Sequence, residues 1–148
     1  MSLYLTITGI FTILGAIVGG YITWLVAIRA SRRQTFNEAA AMFHSAFTEE
    51  LILLHERYDK NASNNEVFEI VENSINKHET AMIKFRPYLI RDVSGFDEAW
   101  KNYAYPNQDE FPINPIIDYL PDKNKSVADI RKQVRERLEK LLSYALPE

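Results

Sequence analysis

The chain has no cysteine among its 148 residues. That excludes disulfides, thiolate nucleophiles and thiolate metal ligands, and it argues against a small disulfide-stapled secreted domain. Neither sign of charge dominates. The 17 basic and 20 acidic side chains leave a formal charge of −3, which gives no overall electrostatic footprint for nucleic acid. Motifs that carry chemistry are also missing: there is no Walker loop, no GxGxxG and no GxSxG. His55-Glu56 and His78-Glu79 lack the second histidine of HExxH, and the paired Glu-x-x-His of a di-iron bundle does not occur.

Charge is absent from one region. No Asp, Glu, Lys or Arg precedes Arg29, and all 37 such residues follow. The remainder, roughly 120 residues, is long enough to bury one modest core. From Leu3 to Ile28 every side chain is uncharged, where about 20 such residues cross a bilayer as a helix. A cleaved secretory signal would carry a basic start, a shorter apolar run and a small-residue cleavage site. The start here, MSLYLT, has no basic side chain, and the basic cluster follows the run. The reading is an uncleaved transmembrane helix over 1–28. Arg29, Arg32 and Arg33 lie just after it, and basic flanks are kept on the cytoplasmic side. The N-terminus is therefore expected outside and residues 29–148 in the cytosol. Tyr4, Tyr21 and Trp24 suit the interfaces.

Small residues line the expected span. Gly15 and Gly19 form a GxxxG pair that Thr23 extends, and Thr8, Thr12, Ala16 and Gly20 form an adjacent line. Such lines let helix backbones approach closely in lipid, so helix association is expected at Gly15, Ala16, Gly19 and Gly20.

The charged part reads as helical throughout. Phe36, Ala40, Phe43, Phe47, Leu51, Leu54 and Tyr58 recur at spacings of three and four, the mark of one helical face, over a helix of about 29–58 continuous with the span. A polar turn at 59–66 offers caps. A second helix, about 66–86, carries Phe68, Val71, Ile75, His78, Met82, Phe85 and Leu89 as a narrow seam of the coiled-coil kind. The short connection implies an antiparallel hairpin, and Pro87 ends the helix. Ser94 signals a third helix, about 95–104, with Phe96, Ala99, Trp100 and Tyr103 as an aromatic stripe that reads as core, and Pro106 closes it. Residues 106–125 are proline-rich but apolar enough to pack. Ser126 and Asp129 resemble a capping box opening a fourth helix, about 127–145, with Val127, Ile130, Val134, Leu138, Leu141 and Ala145 inward. No strand-period run occurs. The fold class is all-α: an N-terminal transmembrane helix, then a cytosolic bundle of three to four helices.

Residues 34–121 carry seven basic and fifteen acidic side chains, and 122–147 carry seven basic and four acidic. A basic last helix can pack beside the acidic hairpin or touch anionic lipid. One cluster passes a geometric check for ligand binding. In a hairpin folded near 61–63, His44 and His78 fall at similar heights with Glu79 nearby, and two imidazoles with a carboxylate can hold a metal such as zinc. A histidine in such a position is more commonly a core-edge residue with one hydrogen bond.

The stretches RRQTFNEAAAMFHSAFTEEL, HETAMIKFRPYL and GFDEAWKNY, behind a glycine-rich single span, resemble uncharacterised small bacterial single-span membrane proteins with a cytosolic helical domain. The resemblance reaches to about Tyr105. It implies a bacterial inner-membrane location and assigns no activity, cofactor or site residue. The expectation is a non-enzymatic, membrane-tethered interaction module whose partners are the lipid bilayer, a second copy through the span, and another protein. The alternatives are a metal-binding or enzymatic domain using His44, His78 and Glu79, and a membrane-active, toxin-like protein.

Overall fold

The computed structural model describes residues 2–55, 66–106, 119–120 and 126–146, with side chains from Gly15 onward. All regular elements among the described residues are helical: α1 (Ser2–Leu53), α2 (Glu66–Phe85), α3 (Val93–Ala104) and α4 (Val127–Leu142), with 3-10 turns at Arg86–Tyr88 and Ser143–Ala145. The chain divides into two compact units, Met1–Phe36 and Asn37–Glu148. The expected boundary at 28/29 followed the step in charge. The observed one lies further along α1, because burial begins only at Ala40.

In the first unit, no helix among the described residues is long and apolar enough to cross a membrane. The run expected to span begins at Leu3, and the side chains of 3–14, including Tyr4, Thr8 and Thr12, lie outside the described residues. From Gly15 to Ile28 there are 14 uncharged residues, short of the roughly 20 a crossing needs. Ile17, Val18, Tyr21, Ile22, Trp24 and Val26 are all exposed. The Thr23 hydroxyl donates to the Gly19 carbonyl at 2.8 Å, so the helix itself satisfies that polar group.

The second unit is an antiparallel bundle, and ring contacts set its register. Phe43 stacks on Phe85 with centroids 4.7 Å apart, and Phe47 on His78 at 4.1 Å. Positions rising along α1 thus meet positions falling along α2. Phe96 meets Phe85 at 5.8 Å and Tyr103 meets His78 at 5.7 Å, which reverses α3 against α2. Phe96 also meets Tyr144 at 5.8 Å. His44 Nε2 donates to the Ala145 carbonyl at 3.1 Å, and Arg131 donates to the Leu53 carbonyl at 2.9 Å. The order is up-down-up-down, the arrangement short connections favour.

Helix ends depart from the sequence reading where a distant or local partner decides them. α1 stops at Leu53, not near 58. After Leu54 N–H bonds Glu50, His55 N–H tightens onto Ile52 at 3.1 Å, and the Arg131 guanidinium takes up the Leu53 carbonyl. Tyr58 and the polar turn lie outside the described residues. α2 ends at Phe85 instead of Arg86, because Pro87 enters the following tight turn. α3 starts at Val93, before the expected 95, and its cap is Asp92 rather than Ser94. Asp92 takes a left-handed backbone (φ 51°) and accepts from Gly95 N–H at 3.1 Å. A Cβ at position 95 would lie 2.5 Å from that carboxylate, so glycine is what lets the cap close. Arg86 forks onto both Asp97 oxygens at 2.8 Å, linking the end of α2 to α3. α4 opens with the full capping box of Ser126 and Asp129, and its last turn narrows after Leu142.

The buried line of α2 is Val67, Val71, Ser74, His78 and Phe85. The expected seam is therefore rotated: Phe68, Ile75, Met82 and Leu89 are only half-buried. On α1, Ala40, Phe43 and Phe47 are buried, as is Leu54 just after its end, while Phe36 and Leu51 are half-buried. All four stripe residues of α3 are core, as are Ile130, Val134, Leu138, Leu141 and Ala145; Val127 is half-buried.

Candidate functional site

A polar cluster occupies the middle of this aromatic core. Glu50 lies three residues after Phe47 and four before Leu54 on α1, which puts a carboxylate on the buried face. α2 brings His78 opposite it, and α3 brings Tyr103. His78 is 0% exposed and Glu50 only 4%. His78 Nδ1 lies 2.8 Å from the Tyr103 hydroxyl, and Nε2 lies 3.2 Å from Glu50 Oε2, out of line for a hydrogen bond. A carboxylate can only accept, so the imidazole proton belongs on Nε2 and the Tyr103 hydroxyl donates to Nδ1. Lys77 Nζ donates to Glu50 Oε1 at 2.6 Å. A second layer continues from Tyr103: its carbonyl accepts from Tyr119 Oη at 2.7 Å, and Arg137 donates to that hydroxyl at 3.2 Å.

Burial pushes the Glu50 carboxyl up, but the Lys77 ammonium, its own backbone N–H and His78 outweigh it and leave the pKa below the usual 4.5. His78 goes the other way. Desolvation lowers its pKa below 6.5, and Glu50 recovers only part of that. Burial drives the Tyr103 phenol well above 10. At neutral pH the cluster therefore holds one carboxylate, one neutral imidazole and one intact phenol.

Glu50 also lines an open groove of about 380 Å³ beside the cluster, between the end of α1 and the first half of α2. Glu49, Glu66 and Glu69 share its walls with Lys77. The groove is acidic, whereas the His78 and Tyr103 side chains are sealed behind it.

The three residues expected to converge on a metal are dispersed. His44 turns to the end of α4, His78 is held in the core, and Glu79 is exposed on α2. Among the described residues no three His, Asp or Glu side chains are placed to hold a metal ion. A hairpin folded near 61–63 puts His78 at about the observed level, since it meets Phe47, but helix rotation sends His44 to another neighbour. Gly15, Ala16, Gly19 and Gly20 are exposed, with nothing within 4 Å of a Cβ built on the three glycines. Arg29, Arg32 and Arg33 are exposed on α1.

Two residues of the cluster and its surroundings escape a reading by hydrophobicity. Glu50 and Arg131 are charged, yet each keeps the helical spacing of the apolar face around it. Arg131 falls three before Val134 and seven before Leu138 and is 2% exposed. A charge at such spacing is the available signal for a buried polar contact.

Comparison with known proteins found no matching family, no matching curated protein and no matching solved structure.

Proposed function

We propose that the protein is a membrane-anchored, non-enzymatic interaction module. Residues 1–28 form a single transmembrane helix, and the bundle works on the cytosolic face of a bacterial inner membrane. One observation carries the anchor: Ile17, Val18, Tyr21, Ile22, Trp24 and Val26 are all exposed on α1, in an uncharged run that begins at Leu3. A helix apolar all round needs an apolar surround, and lipid supplies it. The exposed small residues leave room for a second span at Gly15, Ala16, Gly19 and Gly20. The three exposed arginines after the run favour the cytosolic orientation of the bundle.

The non-enzymatic part of the reading rests on the core. Of the acid, base and hydroxyl that meet there, His78 and Tyr103 are bonded to each other and Glu50 to Lys77, and the imidazole and phenol are closed to substrate. Such a cluster specifies one packing of three helices. Fractionation of lysed cells with a carbonate wash tests the anchor. The full-length chain is expected in the washed membrane pellet. Recovery from the aqueous fraction, or a mature form beginning near Ala30, overturns it. Affinity capture from solubilised membranes then identifies the partner.

A further inference from the structure

We propose that Glu50, His78 and Tyr103 form a proton switch inside the folded bundle: when His78 takes up one proton from solvent at Nδ1, the Tyr103 hydroxyl reverses and Glu50 passes from Lys77 to His78. The step adds one N–H bond and breaks no covalent bond. Two buried atoms motivate it. Glu50 Oε2 and His78 Nε2 face each other 3.2 Å apart, and neither has a hydrogen bond. Unsatisfied buried polar atoms are uncommon in native cores, and here a small turn of either side chain joins the two. In the structure Glu50 instead accepts from Lys77 at 2.6 Å. The Lys77 side chain is 44% exposed and also reaches Glu49 at 3.8 Å, so water readily replaces Glu50 as its partner. A fully buried imidazolium has no such substitute. Once charged, His78 needs the carboxylate more than the lysine does.

The other ring nitrogen is also provided for. In the neutral state Tyr103 donates to Nδ1 at 2.8 Å. A hydroxyl accepts as well as donates, so it can receive an Nδ1–H, but its own proton then needs a new acceptor. Ser74, four residues before His78 on the buried face of α2, is within hydrogen-bonding reach of the phenol. The Ser74 hydroxyl gives its own proton to the Ile70 carbonyl at 2.7 Å, which leaves its oxygen able to accept. Both charge states of the ring can therefore be bonded without unfolding the core.

The charges around His78 set the direction of the exchange. Burial opposes the imidazolium most; Glu50 and the Ala46 carbonyl from α1 favour it, and Lys77 beside it on α2 opposes it. Glu49 lies behind Lys77 on α1. Tyr103 from α3 is an intact phenol, and Arg137 from α4 reaches the Tyr119 hydroxyl one layer further on. Moving Lys77 off Glu50 thus weakens a repulsion while it completes a pair. Glu50 stays a carboxylate down to below 4.5, and His78 titrates below 6.5, so the switch belongs to mildly acid solution.

Nitrogen-15 and carbon-13 NMR of the full-length chain, titrated from about pH 7.5 to about pH 4.5 with near-UV ellipticity followed alongside, tests the switch. At the start the His78 ring should carry its proton on Nε2. It should then become doubly protonated while the ellipticity is retained, and the Glu50 Cδ and Lys77 Cε signals should move with the same midpoint. Ser74→Ala should leave the neutral tautomer unchanged and lower that midpoint by about one pH unit, a roughly tenfold loss of proton affinity, because the reversed hydroxyl loses its acceptor. A ring that stays neutral until the ellipticity collapses overturns the proposal. Protonation with Glu50 and Lys77 unmoved overturns the exchange of partners, and an unshifted midpoint in Ser74→Ala overturns the reversal of the hydroxyl.

Discussion

His78 is neutral in the folded protein because the cost of burying an imidazolium exceeds what Glu50 returns. The consequence for stability has a definite sign. Its folded pKa lies below 6.5, so the unfolded chain takes up a proton first as the pH drops, and stability falls from about 6.5 downward. Glu50 is also depressed, below 4.5. Its contribution is present above 4.5 and is lost as the pH falls through the folded value. Both groups therefore weaken the fold in acid. Urea unfolding followed by near-UV ellipticity should show declining stability between pH 7 and pH 5. His78→Gln should cost about 1–3 kcal/mol at pH 7, because it disturbs the partners of the Tyr103 hydroxyl and Glu50, and it should flatten the decline above pH 5. An unchanged slope in the variant would show that other groups set the acid response.

At the scale of elements, α3 offers a test in which one substitution changes sign. Asp92→Ala removes the N-cap and should cost about 1 kcal/mol. Gly95→Ala gains up to about 1 kcal/mol of helix propensity, but its Cβ displaces the capping carboxylate, so the net effect in the wild-type chain should be near zero. With Asp92 already replaced, the same change should stabilise by about 1 kcal/mol. Thermal or urea unfolding of the four chains checks this, and strict additivity would refute the steric conflict. The stripe of α3 was legible because its buried residues are also its apolar ones, and so was the face of α4 apart from Arg131. α2 was misread by a small rotation because its buried line includes Ser74, whose hydroxyl bonds back to Ile70 at 2.7 Å and so tolerates burial. Hydrophobicity favours Phe68, Ile75 and Met82 instead. The end of α1 was not legible locally at all, since the guanidinium that takes its last carbonyl comes from 78 residues away. The cluster was half legible: His78 stood in the seam, while Glu50 and its Tyr103-side partner needed the register of three helices.

For the whole molecule, on the proposed membrane-anchored reading, the step from uncharged to charged at Arg29 sets the topology. Changing Arg29, Arg32 and Arg33 to Gln while placing basic residues after Met1 should invert the chain. A C-terminal tag should then pass from protected to protease-accessible in spheroplasts; continued protection would mean that these arginines do not orient it. Gly15→Leu with Gly19→Leu should reduce in-membrane crosslinking severalfold if copies meet through the small residues, and equal crosslinking would remove that contact.

Tyr119 bears on how the molecule could be taken apart. It is 0% exposed, its hydroxyl is given to the Tyr103 carbonyl, and Arg137 holds it from α4. The chain is thereby sewn back into the core before α4 begins. Covalent continuity between α3 and Tyr119 should be dispensable for assembly: co-expressed fragments 1–112 and 113–148 should copurify as a reconstituted whole. Replacing Tyr119 with Ala should let the shorter piece be lost on washing.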